Sequence, residues 1–125
     1  PDVKSVLERL SLHPVPLVLA SNTDRIDIER ALKETGIRSY FSQIYSAMDC
    51  VAPKPDPAVY EQAAKATGVP KSDILGFEDS AKGIEAAKAA GLIVWAIRDQ
   101  QFGMDQSKAD KLVDSLEQAL EWLQL

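Results

Sequence analysis

The stretch Ile74-Leu75-Gly76-Phe77-Glu78-Asp79-Ser80 restricts how this chain can fold more than any other. An apolar run of strand length stops at two adjacent carboxylates, and an Ala-rich segment headed by Ser80 and closed by Gly91 follows at once. A short run without polar alternation fits a strand buried on both faces, and a Ser before helix formers with Gly behind them fits a capped helix. The pattern recurs. Val15-Pro16-Leu17-Val18-Leu19-Ala20 is a second such run, and its exit, Ser21-Asn22-Thr23-Asp24, opens a helix from about Arg25 to Glu34 that Gly36 ends in a left-handed cap. Leu92 to Ile97 is a third, fully apolar run. Strands alternating with helices predict an α/β chain with a mainly parallel sheet between helical layers.

The remaining segments fit this plan. Val3, Val6, Leu7 and Leu10 mark an amphipathic helix over Asp2 to Leu12 that His13-Pro14 ends, which makes the lone His13 a loop residue. Gln43 to Ser46 is a short strand, and Asp56-Pro57 opens a helix that runs to Thr67 and stops at Gly68. Lys111 to Val113 is a final edge strand, and Ser115 caps a last helix, Leu116 to Leu123. Trp95 and Trp122 read as packing residues. A chain of 125 residues is expected to form one domain.

Composition narrows the partners. Lys and Arg number 14 against 19 Asp and Glu, so the net charge of -5 gives no overall attraction for nucleic acid or an anionic membrane. The single cysteine, Cys50, excludes an intrachain disulfide and suits a reducing, cytoplasmic setting. There is no apolar run of transmembrane length, no signal-peptide pattern, no metal-spaced Cys/His set and no glycine-rich nucleotide loop. The sequence begins with Pro rather than Met, as expected for a processed chain or a fragment.

In open α/β sheets ligands gather at the carboxyl ends of the strands, which is where Glu78 and Asp79 stand. Two carboxylates there suit a hard cation such as Mg²⁺, which serves phosphate chemistry through one or two protein carboxylates; the alternative is that Asp79 and Ser80 only cap the helix. Ser21 offers a hydroxyl at a strand-to-helix junction, a natural anion cradle, or else the junction is an ordinary cap made by Thr23 or Asp24. Arg25 either faces a bound anion or is solvated. Lys54 stands between Pro53 and Pro55, so its backbone is stiffened, and it is either a fixed functional cation or an ordinary solvated lysine.

In order and separation, the strand ending in Ser21-Asn22, the proline-bracketed Lys54 and the strand ending in Gly76-Phe77-Glu78-Asp79-Ser80 resemble the second, third and fourth motifs of the haloacid dehalogenase superfamily, in its β-phosphoglucomutase-like branch of phosphatases and mutases. The resemblance implies a Rossmann-like three-layer core over residues 1–125. It implies that Ser21 and the Asn22 amide bind the transferring phosphoryl group, that Lys54 neutralises charge beside the nucleophile, with a cis bond to Pro55, and that Glu78 and Asp79 hold Mg²⁺. It also implies a first strand with an Asp-x-Asp pair, the nucleophile and the acid/base, and a cap domain. No Asp-x-Asp occurs in these residues. The expected activity is therefore phosphoryl transfer from a small phosphorylated metabolite through an aspartyl-phosphate on an Asp outside the chain, the chain alone being inactive.

The alternative from another class is a non-catalytic relative that serves as a binding module; a response-regulator-like phosphoacceptor fits the size but needs an acidic pocket at its first strand. With the first strand absent, the strand at Pro16 is expected to pair with that at Gln43, and the strand at Ile74 with that at Leu92. The opening between the two pairs is then closed by direct pairing, by another copy of the chain, or by a missing N-terminal segment.

Overall fold

The computed structural model describes residues 3–125, so the expected start of the first helix at Asp2 lies outside them. In chain order the elements are α1 (Val3–Leu10), β1 (Val18–Ser21), α2 (Arg25–Glu34), β2 (Gln43–Ser46), α3 (Ala58–Thr67), β3 (Leu75–Glu78), α4 (Ala81–Ala89), β4 (Ile93–Ile97), β5 (Lys111–Val113) and α5 (Leu116–Leu123). The fold is α/β with parallel strands, as the sequence predicts. β1 pairs with β2 from Val18 opposite Gln43 to Ser21 opposite Ser46. β3 pairs with β4 from Leu75 opposite Ile93 to Glu78 opposite Ala96, and β4 with β5. These are the expected pairings. No ladder joins the two groups among the described residues, so direct pairing of β1 with β3 does not occur.

What joins them is the helical layer on one face. α3 packs on β1 and β2 and touches α4, which lies along β3 and β4. Val59, Tyr60 and Ala64 of α3 form one buried cluster with Ile84, Ala86, Ala87 and Ala90 and with Val94 and Ala96 of β4. Alanines at this seam let helix and sheet approach closely, and the large side chains Val59, Ile84 and Val94 are fully buried. Ile28, Leu32 and Ile44 make a smaller cluster under α2.

The opposite face departs from the expectation of strands buried on both sides. Every residue of β1 is only half-buried, while Phe77 and Ile93 are 37% and 40% exposed. On this face Trp95 meets Phe77 and Trp122 edge-on with ring centroids 6.2 Å apart, Lys111 lies 5.0 Å from the Trp95 ring, and α1 reaches α5. Aromatic side chains thus cover what helices leave open. β1 also starts later than the apolar run suggests. Val15 donates to the His13 carbonyl in a turn and Pro14 and Pro16 lack an N–H, so the first contact with the neighbouring strand is the Leu17 carbonyl, which accepts the Ser42 N–H at 2.8 Å, and the registered pairs begin at Val18.

Where β4 meets β5, Asp110 exchanges backbone and side-chain bonds with Val94: its N–H donates to the Val94 carbonyl at 2.8 Å and its carboxylate accepts the Val94 N–H at 2.8 Å. That amide bond, and then the Lys88 ammonium at 2.9 Å, hold the Asp110 carboxyl below the usual range. Asp110 thereby fixes the start of the β5 register.

Ile84 touches the residues that bind the two ladders together and has no exposed surface. Ile84→Ala is expected to lower stability by about 2–5 kcal/mol, measured by urea unfolding. A loss below about 1 kcal/mol would show that this helical seam is not the joint described here.

Candidate active site

The loop between β2 and α3 carries Lys54 across the carboxyl ends of both ladders. Its backbone N–H donates to Asn22 Oδ1 at 2.9 Å, just beyond β1, and its Nζ donates to the Ala20 carbonyl at 3.1 Å. The same Nζ lies 2.6 Å from Glu78 Oε2 at the end of β3, and the two side chains are 11% and 10% exposed. Lys54 is therefore not the solvated lysine that the sequence left open. Pro53 and Pro55 hold the backbone that aims it, and the Lys54–Pro55 bond is cis, as the resemblance implies.

Tyr60, in the first turn of α3, completes the arrangement. Its hydroxyl donates to Glu78 Oε2, and Lys54 Nζ stands 4.9 Å from its ring centroid. Burial, followed by the negative charge of Glu78, pushes the Tyr60 hydroxyl well above its ordinary range, so it remains a donor. On its other side the Glu78 carboxylate lies against Gly83: a Cβ there would stand 2.0 Å from Glu78 Oε1. Gly83 thus does more than allow helix–sheet contact. It makes room for a carboxylate at the amino end of α4, where the helix dipole favours negative charge.

Asp79 behaves differently. It is exposed, and its carboxylate makes no hydrogen bond or ion pair with another described residue. The cap of α4 is Ser80, whose Oγ accepts the Gly83 N–H at 3.1 Å, so the capping alternative applies to Ser80 and not to Asp79. Two adjacent carboxylates consequently have separate surroundings: Glu78 faces inward onto Lys54 and Tyr60, and Asp79 faces solvent.

Ser21 ends β1 between Ala20 and Asn22, the two residues that Lys54 contacts. Its Oγ accepts the Thr23 N–H at 3.1 Å, which leaves the hydroxyl proton to be donated elsewhere. Asp24, not Thr23, caps α2. The buried Ser46 fastens this junction by donating to the Thr23 carbonyl at 2.6 Å. The Arg25 side chain is half-exposed; its guanidinium donates to the Ile44 carbonyl at 2.7 Å and lies 3.7 Å from the Asp49 carboxylate. Ser21, Asn22, Lys54, Glu78 and Asp79 are thus brought to one end of the fold. Tyr60 and Ser46 were missed; a Tyr in the first turn of the helix after Lys54 was a usable signal, whereas nothing local marks Ser46.

The family profile described as haloacid dehalogenase-like hydrolase matches residues 1–97. The chain belongs to the haloacid dehalogenase-like hydrolases. It is 34% identical over 119 residues to the bifunctional riboflavin kinase/FMN phosphatase of Arabidopsis thaliana, covering 93% of this chain and 31% of that protein. It is 29% identical to the phosphoglycolate phosphatase of Neisseria gonorrhoeae, covering 99% of this chain and 55% of that protein. It is 30% identical to (S)-2-haloacid dehalogenase 2 of a Pseudomonas strain, covering 94% of this chain and 52% of that protein. The crystal structure of CbbY from Rhodobacter sphaeroides in complex with phosphate superposes with a TM-score of 0.87 at 26% identity, over 100% of this chain and 58% of that one. β-Phosphoglucomutase from Clostridium difficile gives 0.82 at 26% identity, over 99% and 54%. The chain thus spans little more than half the length of most of these proteins, and less of the first.

Gly83→Ala tests the packing of Glu78. Ala is the better helix former by about 1 kcal/mol, so a glycine without a special task would be improved by the change. Here the added methyl is expected to displace the Glu78 carboxylate from Lys54 and to lower stability in urea unfolding. A more stable variant would contradict that arrangement.

Proposed function

We propose that these residues form the phosphate-handling part of a hydrolase or mutase acting on a small phosphate monoester, such as a phosphorylated metabolite. The observation that carries the reading is Lys54, fixed between the end of β1 and Glu78, with Asp79 following Glu78 and its carboxylate exposed. Ser21 donates its hydroxyl to a phosphoryl oxygen, with the Asn22 amide beside it. The Lys54 ammonium neutralises charge at the reacting phosphoryl group, and Glu78 and Tyr60 keep that ammonium in place. Phosphoryl transfer demands mainly such positioning and charge neutralisation.

A metal fits the donor chemistry. Asp79 presents unshared carboxylate oxygens of the kind that suit Mg²⁺, and Glu78, held by Lys54 and Tyr60, would add Oε1 by turning it away from Gly83. Among the described residues no group of three or more His, Cys, Asp or Glu comes together, so the further ligands of such an ion would be waters, substrate oxygens or residues outside these. Bound there, the ion would polarise the phosphoryl oxygens.

The nucleophile in this reading is an Asp outside these residues. Its carboxylate oxygen bonds to phosphorus as the P–O ester bond breaks and the second Asp of the pair protonates the departing oxygen; that Asp then takes a proton from water or a sugar hydroxyl, whose oxygen bonds to phosphorus and leaves as phosphate or a new phosphate ester while the first carboxylate is released. The 125 residues by themselves are accordingly inactive. No described helix is long and apolar enough to cross a membrane, and the proposed setting is the cytoplasm. The site's missing wall is supplied by the N-terminal segment that bears the nucleophile or by another copy of the chain.

The test uses a form of the protein that carries an Asp-x-Asp strand ahead of these residues, assayed with an aryl phosphate and Mg²⁺. Asp79→Asn is expected to lower turnover by about a hundredfold or more with the fold retained, and Lys54→Ala likewise to lower turnover when assayed well below its own, reduced unfolding midpoint. Lys54→Arg should not restore activity, because a planar fork cannot replace a compact ammonium in this cradle. Near-normal turnover in Asp79→Asn would refute the metal assignment. Halide release from a 2-haloacid without phosphatase activity would favour the chemistry named for the Pseudomonas relative, and no activity with either substrate would favour a non-catalytic binding module.

A further inference from the structure

Beyond β4 the chain makes a polar excursion, residues 98–108, before entering β5, and its hydrogen bonds lead back to Asp79. The Gln106 side chain stands at the centre. Its Nε2 donates to the Asp79 carbonyl at 2.9 Å and to the Ile97 carbonyl at 2.7 Å, while its Oε1 accepts the Asp99 N–H at 3.0 Å. A primary amide has two N–H donors, and here both bind strand-end carbonyls. Those carbonyls lie just past the end of β3 and at the last residue of β4, one step beyond the last registered pair, Glu78 with Ala96. Gln106 thus continues the cross-link between the strands one step further, with a side chain in place of a backbone.

The excursion is itself held in shape. The Asp99 carboxylate accepts the N–H groups of Gln101, Phe102 and Met104 at 3.0, 3.0 and 2.6 Å, and these bonds hold its carboxyl below the usual range. Gln106 therefore ties Asp79 to a braced loop and not to a loose one. Asp79, Phe102 and Met104 border the same cleft of about 330 Å³, so this loop and Asp79 line one opening. Asp79 has no side-chain partner among the described residues, and its orientation rests on its backbone.

We infer that Gln106 is a positioning residue for Asp79: by holding the Asp79 and Ile97 carbonyls together it fixes the direction in which the Asp79 carboxylate meets a divalent cation. The inference rests on the proposed metal role of Asp79. Groups that orient a ligand without touching the metal commonly alter affinity by about 10–100-fold when removed.

The experiment is Mn²⁺ binding, followed by electron paramagnetic resonance, to the form of the protein that carries an Asp-x-Asp strand ahead of these residues and to its Asp79→Asn, Gln106→Met and Gln106→Asn variants. Methionine keeps the length of the glutamine and removes both donors; asparagine keeps the amide and withdraws it by one methylene. Measurements are made well below each variant's unfolding midpoint, so that stability does not enter. The parent is expected to bind Mn²⁺, Asp79→Asn to abolish that binding, and both Gln106 variants to weaken it by about tenfold. If Asp79→Asn abolishes binding while both Gln106 variants match the parent, the positioning role is overturned and the metal role of Asp79 stands. If the parent binds no Mn²⁺, or Asp79→Asn binds as well as the parent, the metal role falls and the positioning role with it. If Gln106→Met does not fold, Gln106→Asn alone decides between these outcomes.

Discussion

The rest of this structure depends on one buried ion pair, Lys54 with Glu78. Lys54 comes from the loop after β2 and Glu78 from the end of β3, so the pair bridges two ladders that no backbone hydrogen bond connects among the described residues. Side chains about 10% exposed have given up most of their hydration, and removing one partner would strand the other charge in a poor solvent. The surroundings meet that demand. The Ala20 carbonyl, the Tyr60 hydroxyl and ring, and the space above Gly83 are all arranged around these two charges. Helix packing by Val59 and Ile84 brings the ladders together, and the ion pair fixes how their carboxyl ends face each other.

This explains why adjacent acids have unlike roles. Glu78 lies on the β3 face that looks toward α4, so its side chain turns inward, whereas Asp79 falls after the last ladder pair and its side chain turns to solvent. The first secures the lysine and the second remains open to a ligand. Such a division suits phosphate chemistry, which needs a fixed positive charge and an accessible carboxylate close together.

Much of the fold was legible because its signals are local. Apolar runs with polar exits marked β1, β3 and β4, and Ser80, Ser115, Gly36 and Gly68 bounded their helices as capping rules require. Ser21, Lys54, Glu78 and Asp79 could be picked out because motif order is visible along the chain. Their connections could not. Tyr60 to Glu78 spans 18 positions and Gln106 to Asp79 spans 27, and no periodicity records a side-chain bond across such separations. The half-open face was also hidden: an apolar run shows that a strand avoids water, but whether helices or the rings of Trp95 and Trp122 cover it depends on packing elsewhere in the chain.

The most direct test of the account is a double-mutant cycle on the central pair, with Lys54→Met, Glu78→Gln and the double variant compared by urea unfolding. A buried pair that organises its surroundings should show a coupling of at least about 2 kcal/mol, with each single change costing about 3–5 kcal/mol and the double change costing much less than their sum. A coupling of about 0–1 kcal/mol, the range of exposed surface pairs, would contradict the claim that Lys54 and Glu78 hold this site together.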